Sequence, residues 1–295
     1  MSESLPKHRQ AAGAIASVGV VGCGLMGSGI AEVAARAGYP VTVREVNGEL
    51  LARGQGLVQK SLATALQRGK LSAEACDAAW AKLTFTTDLA GLAQCDLVIE
   101  AATENPSIKK ELFAALDAAC HPATILASNT SSIPIVELAA ATKRPALVLG
   151  LHFFNPAPVM QLVEVIRTIV VAEATVDVVR HFAEGLGKTA ILAKDRAGFI
   201  VNVLLVPYLL DAVRLVEQGV ATKEDIDLGM RLGCGYPMGP LQLLDFVGID
   251  TTYYIAEIMF QEFKEAKFAP PPLLKQMTIA GLHGRKTGQG FYTYH

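Results

Sequence analysis

Short apolar runs alternate with longer segments of helical periodicity from Ala16 to Lys194. Continuous apolar runs bounded by glycine, proline and polar residues are typical of strands buried on both faces, and intervening helices are typical of βα units. Helical periodicity is clear at Met26–Arg36 and Ile108–Ala119. The pattern therefore predicts an α/β domain with a mostly parallel sheet. Its expected strands are Ala16–Val21, Val41–Arg44, Leu97–Glu100, Ile125–Ala127, Leu147–His152, Leu162–Ile166 and Ala190–Ala193.

The strand pattern stops after about residue 198, and long segments with helical periodicity follow. Thr222 is a predicted N-cap, with Asp225 three residues further on. Pro207 lies inside the first segment and predicts a kink there. The second part of the chain is therefore expected to be all-helical. Its predicted helices are Ile200–Glu217, Lys223–Leu232 and Leu241–Lys264.

Length and composition favour two domains over one. The chain has 295 residues, of which 51% are hydrophobic and 18% charged, so it can bury a sizeable core. We place one domain at 1–197, with residues 1–14 as a flexible tail, and the other at 198–295.

Charge and cysteine usage narrow the possible partners and surroundings. A formal net charge of −2 provides no basic surface for nucleic acid or an anionic membrane. No apolar run is long and uninterrupted enough to span a bilayer. The five cysteines are scattered and include no C-x-x-C pair, so no metal site is expected. We interpret them as reduced thiols of a cytoplasmic protein.

The first predicted βα turn carries a glycine motif. Residues 22–27 read GCGLMG, a G-x-G-x-x-G between a strand and a helix. Gly22 permits a tight turn, Gly24 lets a pyrophosphate approach the backbone, and Gly27 lets the helix pack close to its strand. Alone the motif is weak, because glycines also gather in ordinary turns.

An acidic residue at the end of the second strand strengthens that interpretation. Glu45 lies 23 residues after Gly22, where a carboxylate can accept the ribose hydroxyls of a dinucleotide. Its charge repels a 2′-phosphate, so we predict NAD rather than NADP. Arg44 could accommodate such a phosphate, although we prefer to interpret it as a solvated strand end.

Oxidising an alcohol requires a base for the hydroxyl proton or a metal that does the same work. Of six histidines, only His152 ends a predicted buried strand. Burial disfavours the charged form of an isolated histidine, so a base there needs a carboxylate partner. Glu164 on the next strand, between Val163 and Val165, can supply it. The alternative is a histidine that only fills the core, but the nearby glycine loop and glutamate favour catalysis.

Two further polar sites have both a functional and a purely structural interpretation. The segment 128–132, SNTSS, follows another strand end, and could bring hydroxyls to the same sheet edge or only cap a helix at Ile135–Ala140. Asn202, in the first turn of a long helix, could face a cleft or only cap that helix. Spacing does not decide either case.

Several phrases of this sequence resemble those of 3-hydroxyacyl-CoA dehydrogenases, from about Ala16 to the C-terminus. Together they are highly specific. They are ASNTSS at 127–132, LHFFNP at 151–156, LVEVI at 162–166, GFIVN at 198–202, GYPMGP at 235–240 and GRKTGQGFY at 284–292.

The resemblance implies a Rossmann-like domain, a helical substrate-binding domain that forms a homodimer, and NAD-dependent oxidation of short-chain (S)-3-hydroxyacyl-CoA thioesters. His152 would be the base, Glu164 its orienting partner, and Ser131 and Asn202 contacts of the reacting group. Arg68 stands where the family has lysine, which keeps the charge but changes its geometry. Implied cofactor contacts are Gly22, Gly24, Leu25, Met26, Gly27, Glu45, Glu104, Asn155 and Lys286, and implied CoA contacts are Ser61, Arg68 and Lys109.

Two other functions compete with this one. A related two-domain dehydrogenase of small 3-hydroxy acids or sugar acids could share the loop and layout but would lack a CoA site. A non-catalytic NAD-binding structural or sensor protein should have lost His152 or Glu164, and both are present.

Overall fold

The structure is a computed structural model that describes residues 14–294. The flexible tail predicted for residues 1–14 lies, apart from Ala14, outside the described residues. The chain divides into two compact units between Asp195 and Arg196.

The first unit contains a single eight-stranded sheet with the order β3-β2-β1-β4-β5-β6-β7-β8. Strands β1 to β6 run parallel, β7 is antiparallel to β6, and β8 is parallel to β7. The order reverses between β1 and β4, which makes a crevice at their carboxyl ends where open α/β sheets bind ligands. The strands are β1 (Val18–Val21), β2 (Val41–Arg44), β3 (Leu83–Thr86), β4 (Leu97–Glu100), β5 (Ile125–Ser128), β6 (Val148–Phe153), β7 (Leu162–Arg167) and β8 (Thr189–Lys194).

Helices pack against the sheet because its central strands are apolar on both faces. Val20 on β1 and Ile99 on β4 join Ile30 and Ala34 of α1 in one buried cluster. The buried residues of α4 and α5 lie outside that cluster, as expected when helices cover both faces of a sheet. The helices are α1 (Leu25–Arg36), α2 (Gly48–Gln67), α3 (Ala73–Trp80), α4 (Pro106–Ala119), α5 (Ile135–Ala139) and α6 (Glu173–Gly185).

All seven predicted strands are present, with ends that differ by at most two residues. The prediction omitted β3, which lies at the edge of the sheet and pairs only with β2. Its Leu-Thr-Phe-Thr sequence alternates apolar and polar residues, and none of the four is fully buried. An edge strand of this kind lacks the continuous apolar run that marks the central strands.

The second unit is helical, as predicted. Its core contains Leu209 and Val213 of α7, Leu244 of α9, Met259 of α10 and Leu274 of α11. No helix in the described part of the chain is long and apolar enough to cross a membrane. The helices are α7 (Val201–Glu217), α8 (Lys223–Cys234), α9 (Pro240–Val247), α10 (Ile249–Phe263) and α11 (Pro272–Ile279).

The single helix predicted for Leu241–Lys264 is wrong. The segment forms α9 and α10, which are separated by Gly248. The φ angle of Gly248 is +109°, a conformation outside the helical region that only glycine adopts without strain. A glycine inside an apolar periodic segment therefore ends one helix and starts another.

Two local predictions concern the ends and interior of the helices. The Thr222 hydroxyl accepts the Asp225 N–H at 3.1 Å, so Thr222 is the N-cap of α8, as predicted. Pro207 lies inside α7, which runs unbroken from Val201 to Glu217, and the kink there stays a prediction.

Candidate active site

The glycine loop connects β1 to α1 at the point where the strand order reverses. Gly22 has a φ of +89°, and a Cβ on Gly27 would collide with the Gly22 carbonyl oxygen. An added Cβ on Gly24 would meet nothing within 4 Å, so open space remains beside the backbone there. No side chain caps the N-terminus of α1, whose first-turn N–H groups are therefore left for an anionic ligand. These features fit a dinucleotide pyrophosphate.

Glu45 follows β2 directly and supports the same loop. Its Oε1 accepts the Cys23 N–H at 2.6 Å, and its Oε2 accepts the Val46 N–H at 2.9 Å. Each carboxylate oxygen can accept further hydrogen bonds, as ribose recognition requires. Burial, reinforced by the Glu45 charge, raises the pKa of the Cys23 thiol to about 12, so the loop carries a neutral thiol. Arg44 donates through Nε to the Thr87 carbonyl at 3.3 Å.

His152 and Glu164 are directly opposed in the antiparallel ladder of β6 and β7. His152 Nδ1 lies 2.7 Å from Glu164 Oε2, and the two side chains are 9% and 0% exposed. The Phe154 ring lies 4.6 Å from the imidazole, measured between centroids. With Nδ1–H donating to the carboxylate, the neutral ring carries its lone pair on Nε2. Such a pair can accept a proton on Nε2 while the carboxylate stabilises the imidazolium.

The segment 128–132 wraps around the Glu104 side chain. Glu104 Oε1 accepts hydrogen bonds from the Thr130 hydroxyl, from Ser131 N at 3.2 Å and from the Ser132 hydroxyl at 3.1 Å. Asn129 Oδ1 accepts the Phe153 N–H at 2.9 Å, which connects this loop to the residue after His152. The structure thus brings the predicted residues Glu104 and Ser131 together at the carboxyl ends of β4, β5 and β6.

Helix capping does not explain this segment. The first N–H groups of α5, from Ile135 and Val136, are bonded by the Asp195 carboxylate at 2.8 and 2.7 Å. Pro134 occupies the N-cap position and contributes no side-chain hydrogen bond. The Asp195 carboxylate therefore takes the capping role that the sequence left open for this segment, and the functional interpretation stays a prediction.

Lys109 does not have the environment expected of a CoA contact. Its side chain is only 1% exposed, and Nζ lies 2.5 Å from Glu100 Oε1 and 3.3 Å from Glu104 Oε2. The amine points at two carboxylates of its own domain, and its assignment to CoA stays a prediction. Sequence reasoning also missed Glu100, although an acidic residue ending an otherwise apolar strand could have indicated it.

The remaining predicted site residues of the first unit lie on α2, after β6 and at the start of α1. Ser61 is half-buried on α2, and Arg68 is the exposed C-cap residue of the same helix. Asn155 is exposed just after β6. Leu25 and Met26 open α1 beside the glycine loop, with Leu25 exposed and Met26 half-buried.

Two candidates belong to the second unit. Asn202 is the second residue of α7, where Ile200 is the N-cap and no side chain makes a capping bond, so helix capping does not explain it. Lys286 Nζ lies 2.5 and 2.6 Å from the two carboxylate oxygens of Asp250, an ion pair that the sequence did not reveal.

Within residues 14–294, no group of three or more His, Cys, Asp and Glu side chains could hold a metal ion.

A glycine loop at the switch point of a parallel sheet, with a buried His–Glu pair at the same unit's strand ends, defines a Rossmann-type dehydrogenase. Comparison with known families agrees. Residues 17–196 match the NAD binding domain of 3-hydroxyacyl-CoA dehydrogenase, and residues 198–294 match that family's C-terminal domain. The chain therefore belongs to the 3-hydroxyacyl-CoA dehydrogenase family and carries its NAD binding domain.

Individual relatives are similar over almost their full length. A 3-hydroxybutyryl-CoA dehydrogenase of Mycobacterium tuberculosis is 54% identical over 283 residues, covering 95% of this chain and 99% of the relative. The mitochondrial hydroxyacyl-coenzyme A dehydrogenase of Sus scrofa is 44% identical over 284 residues, covering 94% and 90%. The crystal structure of an (S)-3-hydroxybutyryl-CoA dehydrogenase from Ralstonia eutropha has a TM-score of 0.91 at 40% identity, covering 96% and 100%.

Proposed function

We propose that this protein catalyses the reversible, NAD-dependent oxidation of (S)-3-hydroxyacyl-CoA to 3-ketoacyl-CoA. The observation that carries the proposal is the buried pair of His152 and Glu164, 2.7 Å apart on neighbouring strands of the dinucleotide-binding unit. Short-chain thioesters such as 3-hydroxybutyryl-CoA and acetoacetyl-CoA are the proposed substrates. The names of the bacterial relatives support that choice.

The proposed chemistry separates a proton from a hydride. NAD, when bound, accepts the hydride that leaves C3 of the substrate. His152 takes the 3-hydroxyl proton on Nε2, and Glu164 stabilises the resulting imidazolium and fixes the ring tautomer. In the reverse direction the same imidazolium returns the proton to the C3 oxygen.

The remaining residues have proposed binding roles. Ser131 and Asn202 contact the reacting part of the substrate, while Ser61 and Arg68 meet the CoA moiety. The first domain, 1–197, binds NAD, and the helical domain, 198–295, binds substrate and forms the dimer. The proposed cofactor contacts are Gly22, Gly24, Leu25, Met26, Gly27, Glu45, Glu104, Asn155 and Lys286.

Initial rates with acetoacetyl-CoA and with longer 3-ketoacyl-CoA thioesters, each with NADH and with NADPH, test this proposal. We expect turnover of acetoacetyl-CoA with NADH and a lower kcat/KM with NADPH. No reduction of any 3-ketoacyl-CoA by either cofactor would reject the proposed function.

Replacing Glu45 with alanine should weaken NADH binding about 10–100-fold, the effect of losing a hydrogen bond to a charged acceptor. The preference over NADPH should narrow, because the variant also loses the charge that repels a 2′-phosphate. Fluorescence titration with each cofactor measures both effects. Glu45→Gln is the matched control, since its amide oxygen can still accept the Cys23 N–H. An unchanged ratio of NADH to NADPH affinity in both variants would contradict the assignment.

We also propose a homodimer that associates through the helical domain. Leu204 on α7 is 71% exposed and Leu232 on α8 is 76% exposed, and the proposed interface would cover apolar side chains of this kind. Leu232→Asp should weaken the dimer at micromolar concentration, while Ile169→Asp, at a 94% exposed position of the other unit, should not. Sedimentation measures both. A monomeric wild-type protein would contradict the proposal.

A cytoplasmic location and a place in fatty-acid metabolism complete the proposal. The five cysteines are free thiols, which fits a reducing compartment. The metabolic role follows from the proposed thioester substrate.

A further inference from the structure

Lys109 is enclosed at the start of α4. Its Nζ lies 2.5 Å from Glu100 Oε1, 3.3 Å from Glu104 Oε2 and 3.4 Å from the Ala102 carbonyl oxygen. Three acceptors match the three protons of an ammonium group. The bonding capacity of the amine is therefore used within the domain.

Glu100 connects the ends of β4 and β5 and is itself fully buried. Its Oε1 accepts the Ala102 N–H at 2.7 Å in addition to the Lys109 amine. Its Oε2 accepts the Ser128 hydroxyl at 2.6 Å, and Ser128 Oγ in turn accepts the Thr130 N–H at 3.2 Å. A carboxylate at this depth is stabilised by a neighbouring cation and by several hydrogen-bond donors.

Glu104 is the side chain that the loop encloses, and its two oxygens have different partners. Oε1 takes the three loop donors from residues 130–132, while Oε2 faces Lys109. The Glu104 side chain is 38% exposed, so it has room to turn toward solvent if Oε2 is released. Glu104 is thus held by Lys109 at one carboxylate oxygen and by the loop at the other.

We propose that Lys109 is a positioning residue that neutralises Glu100 and holds Glu104, and thereby fixes the Ser128–Ser132 loop beside His152. The loop reaches the catalytic strand through the bond from Phe153 N to Asn129 Oδ1. In this role Lys109 acts through Glu100 and Glu104. The kinetic consequence rests on the proposed function, but the structural consequence does not.

Removing the ammonium group leaves two carboxylates that share one small volume without a cation. Their repulsion favours rotation of the partly exposed Glu104 side chain into solvent. That rotation releases donors of the loop that carries Ser131. A displacement of about 1 Å at such a site can lower the rate about 10²-fold.

Lys109→Met keeps the length of the side chain and removes its charge. With acetoacetyl-CoA and NADH we expect kcat to fall about 10²-fold, while amide hydrogen exchange in residues 128–133 becomes faster. Lys110→Met is the control, because Lys110 is 44% exposed and pairs with Glu137 at the surface. It should leave both measurements at wild-type values.

The double variant Glu100→Gln/Lys109→Met separates the positioning of Glu104 from the effect of an uncompensated charge on Glu100. It also keeps the proposal testable if Lys109→Met alone does not fold. It leaves no unpaired buried carboxylate at residue 100, so Tm should return toward the wild-type value. We expect kcat to stay low and hydrogen exchange to stay fast, since Glu104 still lacks its contact with Lys109.

Two results would overturn the proposal. One is a double variant in which kcat recovers together with Tm. The other is a Lys109→Met protein whose kcat and exchange rates equal those of Lys110→Met. If the wild-type enzyme does not reduce acetoacetyl-CoA, the proposed function fails and the exchange comparison alone decides this inference.

Discussion

Replacing His152 with alanine should lower turnover in both directions by about 10²–10⁴-fold, the usual effect of losing a positioned base. Affinity for NADH should stay nearly constant, because the glycine loop proposed to bind the cofactor follows β1, whereas His152 lies on β6. Initial rates with saturating cofactor, combined with a fluorescence titration, measure the two quantities separately. A variant that retains nearly full oxidation of a 3-hydroxyacyl-CoA would show that another group is the base.

Glu164→Gln serves as the companion variant, because it keeps the shape of the side chain and removes its charge. Its turnover should fall, since the amide no longer stabilises the imidazolium.

The wild-type enzyme should show opposite pH dependence for oxidation and for reduction. Oxidation needs neutral His152 and should fail at low pH, whereas reduction needs the protonated ring and should fail at high pH. Profiles that bend in the same sense would contradict the assigned proton transfer.

Replacing Gly27 with alanine should weaken NADH binding by about 10–100-fold or more. The new Cβ would collide with the Gly22 carbonyl oxygen, a backbone atom that can move only if the loop moves. Overpacking of this kind costs about 1–3 kcal/mol and should lower Tm as well. Calorimetric titration with NADH and thermal unfolding measure the two effects.

Alanine variants of two further glycines distinguish the effect of a backbone collision from the effect of filling the space proposed for the ligand. Gly24→Ala introduces no contact within 4 Å, so Tm should stay unchanged while NADH affinity falls, because the methyl group occupies space beside the loop. Gly56, inside α2, also has open space and should tolerate alanine in both measurements. Equal NADH affinity in all three variants would mean that the loop is not the pyrophosphate site.

The central sheet could be predicted because its strands are buried on both faces and therefore appear as continuous apolar runs. The strand β3 could not, since an edge strand that is half-exposed alternates threonine with apolar residues. The break at Gly248 was also missed. Apolar periodicity continues through it, and only the backbone conformation shows that two helices meet there.

The candidate catalytic pair could be predicted because both residues interrupt apolar strands that are consecutive in the sequence. Their direct opposition in the β6–β7 ladder follows from the antiparallel turn between them. The position of Lys109 could not be predicted in the same way. A lysine followed by a second lysine in the first turn of a helix is usually solvated, and its burial depends on Glu100 from a separate strand.

The most direct test compares two substrates that differ only in the thioester. NADH formation would be followed with (S)-3-hydroxybutyryl-CoA and with free (S)-3-hydroxybutyrate, using the wild-type enzyme and His152→Ala at equal concentration. The proposed function predicts rapid NADH formation from the thioester by the wild-type enzyme, little from the free acid, and a large loss in the variant. Comparable rates with the free acid, or no NADH formation from the thioester, would contradict it.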